Sequence, residues 1–358
     1  MTGHEASDSS PEAGPEGRRI AVVLNGNAKS VSREVIHALD QIIEAGDLYL
    51  SRRLEEVPGI ARALLDRGYD TILTGGGDGT FTVVVTAVVR EAKSRGIASP
   101  RFGLLRLGTG NSLAWVVGSS APGRGSRLAS ALSADVARLR SDAGSRMVPL
   151  LEAEGLLSPF AGFGIDANVL ADYAATQRAI GSGALGRRTP ALFIYAIAAM
   201  SRTIPGYLLK PTPHCRVVNR GGDALRIGKQ GAIVGAPIKK GTLIYEGPAT
   251  IASLSTIPYY GFGFRMFPYA EDRPGKAQLR VSTISSVSFV RNFSDIWKGE
   301  HYDPEMLFDF FVDEVEIEMD PPTSFQVGGD IQGERRSVHL ALTDPVPVVD
   351  FYSPPSGA

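Results

Sequence analysis

Thr74-Gly75-Gly76-Gly77-Asp78-Gly79-Thr80 is the stretch of this chain best suited to chemistry on a phosphate. It follows the apolar run Tyr69 to Leu73 and precedes Phe81 to Lys93, whose apolar spacing predicts a helix. A strand that ends in consecutive glycines and reopens as a helix brings backbone N–H groups up to an anion, and the helix N-terminus adds its dipole. Asp78 is out of place there unless it holds a metal or takes a proton, which points to phosphoryl transfer. The plainer alternative is a tight glycine turn with Asp78 as a helix cap.

Two further loops have the same setting. Arg101 to Arg106 reads as a strand and runs into Leu107-Gly108-Thr109-Gly110-Asn111, after which Asn111 or Ser112 caps a short helix through Leu113, Ala114 and Val117. Strand Ile20 to Leu24 leads through Asn25-Gly26-Asn27-Ala28-Lys29-Ser30 into a helix from Ser32. Three such units place three polar loops along the carboxyl edge of one parallel sheet, where open α/β sheets bind ligands.

The elements that must hold these loops are repeated β-α units. Helix Ser32–Ala45 carries Val35, Leu39, Ile42 and Ile43 on one face and stops at Gly46; strand Asp47–Ser51 and helix Pro58–Arg67 follow, closed by Gly68. Strands Thr71–Thr74 and Phe102–Arg106 complete a pattern that implies a parallel sheet covered on both faces. The run Phe81–Val89 is rich in β-branched residues, but its length and its charged end (Arg90, Glu91, Lys93) favour a helix. Beyond residue 145 the texture changes to short alternating stretches, among them Arg216–Asn219, Ala232–Ala236, Thr250–Leu254, Ala277–Ile284 and Val312–Met319, which read as an antiparallel β domain. Gly221-Gly222-Asp223 reads as a hairpin turn between strands.

With these residues in view the chain resembles a known family. Gly75–Thr80 is similar to the glycine-glycine-aspartate-glycine-threonine loop of diacylglycerol kinases, sphingosine and ceramide kinases, NAD kinases and, more loosely, phosphofructokinases. Leu107–Asn111 is more selective and looks like the second nucleotide loop of the diacylglycerol/sphingosine lipid kinases. Gly162-Phe163-Gly164-Ile165-Asp166-Ala167 resembles the segment that opens their second domain, and Gln326–Glu334 resembles their closing aspartate-glycine-acid motif. The four matches occur in the family's order from about residue 19 onward. The implied fold is an α/β N-terminal domain with a parallel sheet, of the NAD kinase/phosphofructokinase kind, plus an antiparallel β-sandwich C-terminal domain.

Against that pattern, the acids expected in the family are replaced by Val83, Ser112, Pro149 and Gly328. The sphingosine-kinase branch also lacks the second and third of these. The resemblance implies transfer of the γ-phosphoryl group of ATP, with Mg²⁺, to a lipid hydroxyl. Gly76, Gly77 and Gly79 would supply backbone donors; Thr80 and Thr109 would offer hydroxyls; Asn25 and Asn27 would close the nucleotide side; Gly75, Gly108, Gly110 and Asn111 complete the nucleotide-binding set. Asp330 and Asp78 are the candidate catalytic carboxylates, Asp330 ranked first as base and Asp78 also as metal ligand. Glu334 is a weaker candidate whose plainer role is an ion pair with Arg335 or Arg336, and Asp166 reads as structural. The rival readings are an NAD kinase-like enzyme and a catalytically impaired nucleotide- or lipid-binding protein of the same fold, the latter motivated by Val83.

Composition sets the outer bounds. With 358 residues, 43% hydrophobic, and a formal net charge of −1, the chain can bury a large core and suits two domains. The charge gives no footprint for nucleic acid. One cysteine, Cys215, forms no intramolecular disulfide and reads as an inert buried thiol suited to a reducing compartment. The expected divisions are a disordered tail at 1–18 without a signal peptide, a nucleotide-binding domain at 19–145, a lipid-substrate domain at 146–320 and a closing segment at 321–358 that returns to the interdomain cleft. Ala191–Met200 is too short to span a membrane, which takes ~20 apolar residues, and reads as a core or interfacial helix. A cytoplasmic protein meeting its lipid by peripheral contact at the inner membrane face is therefore expected, with room for a homodimer.

Overall fold

Strands whose side chains are apolar on both faces need cover on both faces, and the first sheet is built that way. The computed structural model describes residues 19–28, 31, 33–42, 47–108, 111–119, 126–140, 144–164, 212–261 and 263–352. The N-terminal elements are β1 (Ile20–Asn25), α1 (Arg33–Ile42), β2 (Leu48–Ser51), α2 (Val57–Asp66), β3 (Thr71–Gly76), α3 (Asp78–Arg95), β4 (Arg101–Arg106), α4 (Ala114–Val117), α5 (Ser126–Arg140) and β5 (Gly144–Val148). Strands β1, β2, β3 and β4 pair in parallel, in the order β2-β1-β3-β4. Alternate residues of β1 go to opposite sides: Val22 and Leu24 pack with Val35 and Leu39 of α1 and Leu132 and Val136 of α5, while Ala21 and Val23 pack with α2 and α3.

The antiparallel domain follows with β6 (Leu151–Ala153), β7 (Leu156–Ser158), β8 (Phe160–Phe163), β9 (His214–Asn219), β10 (Ala224–Ile227), β11 (Ile233–Ile238), β12 (Leu243–Pro248), β13 (Ile251–Ser255), β14 (Ala277–Ser282), α6 (Ser286–Arg291), α7 (Phe293–Lys298), β15 (Leu307–Val312), β16 (Glu314–Val327) and β17 (Asp330–Leu342). Strand β16 is the spine. Its first half pairs with β9 and its end with β8, so the sheet divides into two arms. The arms face each other across one apolar core that joins Cys215 and Val217 to Ala252, Leu254 and Leu279, and the rings of Tyr245 and Phe308 meet across it at 5.0 Å. Burial pushes the Cys215 thiol up to about 12, consistent with an inert residue.

Chain order then reverses. Strand β18 (Val346–Asp350) leaves the second domain and inserts between β4 and β5, parallel to one and antiparallel to the other. The expected closing segment at 321–358 is therefore split: β16 and β17 carry residues to 342 within the antiparallel sheet, and only β18 rejoins the first sheet. Likewise the expected cut at 145 falls inside β5. Gly221-Gly222-Asp223 is not a hairpin turn, because β9 and β10 do not pair; it carries the chain from one arm of the sheet to the other.

Helix α3 joins the domains. Phe81, Val84, Val85 and Val88 are buried, and so are Thr82 and Thr86 on the side turned to the second domain. Thr86 Oγ1 donates to the Thr82 carbonyl at 2.6 Å and accepts from Leu157 N–H at 2.8 Å, which ties β7 to the helix. A helix covered on both sides has no polar stripe, so its sequence looks strand-like. The apolar run Ala191–Met200, Asp166 and the tail at 1–18 lie outside the described residues. No helix among the described residues is long and apolar enough to cross a membrane.

Candidate active site

The glycine loop is tighter than its sequence suggests. Strand β3 continues through Gly75 and Gly76, which pair with Leu105 and Arg106 of β4, and α3 begins at Asp78 with Gly77 as its extended N-cap. The first bond of the helix runs from Phe81 N–H to the Gly77 carbonyl at 3.2 Å. The N–H groups of Asp78, Gly79 and Thr80 are therefore left over by the helix and point out of its N-terminus. Gly75 and Gly76 form the strand end and Gly77 the cap that aim these three.

Beside that terminus lies a cleft of about 130 Å³ lined by Asn25, Asn27, Ser51, Gly79, Thr80, Val83 and Asp330. Asn25 Nδ2 donates to Thr80 Oγ1 at 3.1 Å, and Asn25 Oδ1 accepts from Asn27 N–H at 2.9 Å, so β1 and α3 close one wall together. The sequence reading missed Arg52 and Arg53, which line the same cleft just past β2. Glu56 accepts their backbone N–H groups at 2.8 and 3.3 Å; these bonds, Arg52 first, hold its carboxyl below the usual carboxylate range. A doublet of basic residues after a short strand ordinarily reads as solvated surface, and only the fold brings it to the cleft.

Asp78 has a different surrounding. Its carboxylate is buried and accepts from Ser112 N–H and Ser112 Oγ–H, both at 2.9 Å, and from Leu113 N–H at 3.4 Å. Burial raises its pKa and outweighs these donors, which pull the other way; nearby Asp330 raises it slightly further. Ser112 Oγ in turn accepts from Gly261 N–H of the second domain at 2.7 Å. Asp78 thus ties the first loop, the second loop and the antiparallel domain together. In the second loop Asn111 does not cap α4: it sits at φ 51°, and its amide closes on Gly108, donating to the carbonyl at 2.7 Å. Gly108 packs on the backbone of Gly77, leaving no space for a Cβ. Thr109 and Gly110 lie outside the described residues.

Asp330 comes from the other domain. Gly328 and Gly329, at φ 60° and 85°, make a two-residue turn between β16 and β17 of the left-handed kind that tight hairpins favour. Gln326 Oε1 accepts from Gly329 N–H at 2.8 Å and steadies it. The turn sets the Asp330 carboxylate against Gly79: a Cβ on that glycine would lie 2.6 Å from Asp330 Cγ. Partial desolvation there raises the Asp330 pKa. Gly328 faces Thr82 and Ser158. Glu334 stands on β17 and is not among the residues lining the cleft; Arg335 pairs with Glu154 and Arg336 with Asp320 instead.

The structure therefore brings together Asn25, Asn27, Gly79, Thr80 and Asp330, and sets Asp78 behind them as a tether. A protein-made Mg²⁺ site does not fit these residues. No group of three His, Cys, Asp or Glu is gathered among the described residues, Asp78 is committed to Ser112 and Leu113, and Val83 presents hydrocarbon to the cleft.

Residues 19–139 match the model of the diacylglycerol kinase catalytic domain. No curated protein matches the chain. Solved structures from Bacillus anthracis str. Sterne share the fold. One, described as a putative diacylglycerol kinase, aligns with a TM-score of 0.56 and 14% identity over 93% of this chain and 97% of its own. A second of the same description gives 0.57 and 14% over 94% and 98%. Residues 19–139 thus match the diacylglycerol kinase catalytic domain model, and the chain shares the two-domain fold of these structures.

Proposed function

We propose that the chain transfers the γ-phosphoryl group of ATP to the hydroxyl of a lipid. The observation that carries this reading is the meeting of Asp330, from the antiparallel domain, with the open N-terminus of α3, from the α/β domain. Free N–H groups on Asp78, Gly79 and Thr80 suit a phosphate, and the Asn25–Thr80 wall suits the rest of the nucleotide. Asp330, reaching the same point from the opposite side, suits a base that takes the proton of an incoming hydroxyl as its oxygen attacks phosphorus and the bond to the leaving diphosphate breaks. Diacylglycerol, a sphingoid base, ceramide and a prenyl-type alcohol all offer that hydroxyl.

Incubation with labelled ATP and a panel of these lipids, read by thin-layer chromatography, tests the proposal; one labelled phospholipid that disappears with Asp330→Asn is the expected result. ATP binding without any labelled lipid would favour the second reading, a binding protein of the same fold, which draws on the hydrocarbon of Val83 in the cleft. Absence of ATP binding would remove both.

A further inference from the structure

The cleft's charge suits a site that would hold a polyphosphate. Among its lining residues the acid is Asp330, against Arg52 and Arg53. Arg52 lies over the loop that follows β1, its Cγ 2.9 Å and its Nε 3.4 Å from where a Cβ on Gly26 would be. Glu56 Oε2 accepts the backbone N–H groups of the same two arginines, and the nearby guanidinium charges also favour its ionised form. That arrangement fixes the turn and sets two arginines at the cleft.

Resting on the nucleotide reading above, we infer that Arg52 and Arg53 clamp the polyphosphate of the nucleotide, so that its charge is neutralised by this chain's own arginines and binding does not require a divalent metal. Three facts converge. The family's glutamate position is Val83, Asp78 is turned into the interior as a tether, and two arginines line the cleft. Removing carboxylates from a phosphate site takes away the groups that would hold a metal, and it also takes away their repulsion of the phosphates. Guanidinium groups supply bidentate donors and charge at once. The affinity should therefore climb from AMP to ADP to ATP even in EDTA, as each phosphate adds contact with the clamp.

Calorimetric titration of the full chain with AMP, ADP and ATP, in EDTA and in Mg²⁺, is the test. For the wild type we expect ATP affinities within a few-fold of each other in the two buffers. Arg52→Gln with Arg53→Gln should cost about tenfold or more in ATP affinity per arginine and flatten the AMP–ADP–ATP series. Arg52→Lys with Arg53→Lys, which keeps charge but not the fork, should fall between. Both sites are exposed, so an unchanged melting temperature will show that the variants fold. Wild-type-like ATP affinity in a folded Gln variant would overturn the clamp while leaving the nucleotide site standing, as would ATP binding that vanishes in EDTA and returns with Mg²⁺. A Gln variant that keeps ATP affinity but loses binding to vesicles containing phosphatidic acid would assign the arginines to a lipid headgroup, and also overturns it. A wild type that binds no ATP in either buffer removes the nucleotide site itself and the clamp with it.

Discussion

The carboxylate of Asp330 rests on the bare Cα of Gly79, and that contact joins the two domains at the point where α3 begins. A methyl group at Gly79 would occupy the space the carboxylate now takes. Because Asp330 is open to solvent on its other side, it would swing out instead of straining the helix.

Gly79→Ala is therefore expected to mimic the loss of Asp330. Turnover should fall by about 10²–10⁴-fold, the contribution of a positioned base, and Asp330→Asn should fall by the same order. The helix itself favours alanine over glycine by about 1 kcal/mol, so melting should change little. Steady-state kinetics beside a thermal melt separate the two effects; an active Gly79→Ala enzyme would show that the contact is mere packing.

The pH dependence follows from the raised pKa of Asp330. A base works only when deprotonated, so the acid limb of the rate profile should lie above the ordinary 3.8 of an aspartate, and Asp330→Asn should abolish that limb. For stability the sign is the reverse of the usual carboxylate. Asp78 is also raised, so the native state binds its proton more tightly than the unfolded chain does. Its contribution is present at low pH and is lost as pH rises through its folded value. Urea midpoints measured across acidic to neutral pH should show this slope reduced in Asp78→Asn.

Ser112→Ala removes one hydroxyl that serves both domains, leaving Gly261 N–H without its acceptor and Asp78 with backbone donors only. The expected cost is about 1–3 kcal/mol, that of an unsatisfied buried polar group. Urea denaturation would detect it, and an unchanged midpoint would mean that the tether carries no stability.

Val83→Glu places a carboxylate among the cleft's lining residues, facing the charge of Arg52 and Arg53. If those arginines hold the polyphosphate, the variant should bind ATP more weakly in EDTA and recover with Mg²⁺, converting a metal-independent site to a metal-dependent one. Identical isotherms for wild type and variant in EDTA would contradict this.

What was legible in the sequence is what is local. Glycine-rich strand–helix junctions and β-α spacing depend on neighbours within a few residues, so the parallel sheet and the two loops could be read directly. Strand β18 could not: it is five residues long, contains Pro347, and becomes a strand only by inserting between β4 and β5. The role of Asp78 was hidden for a similar reason, since its donors lie 34 and 35 residues away. Arg52 and Arg53 carried no pattern at all until β2 brought them to the first loop.

The position of β18 also fixes an order of events during synthesis. The nascent chain presents β1 to β5 before β18, yet the strand that joins β4 to β5 is missing until residues 346–350 leave the ribosome. The first sheet is thus completed only by a strand that follows the whole antiparallel domain in the chain. A fragment ending before β18 would leave the edges of β4 and β5 open to other chains. The α/β domain is a single unit in space but not in sequence, and it cannot be excised as a contiguous stretch of the chain.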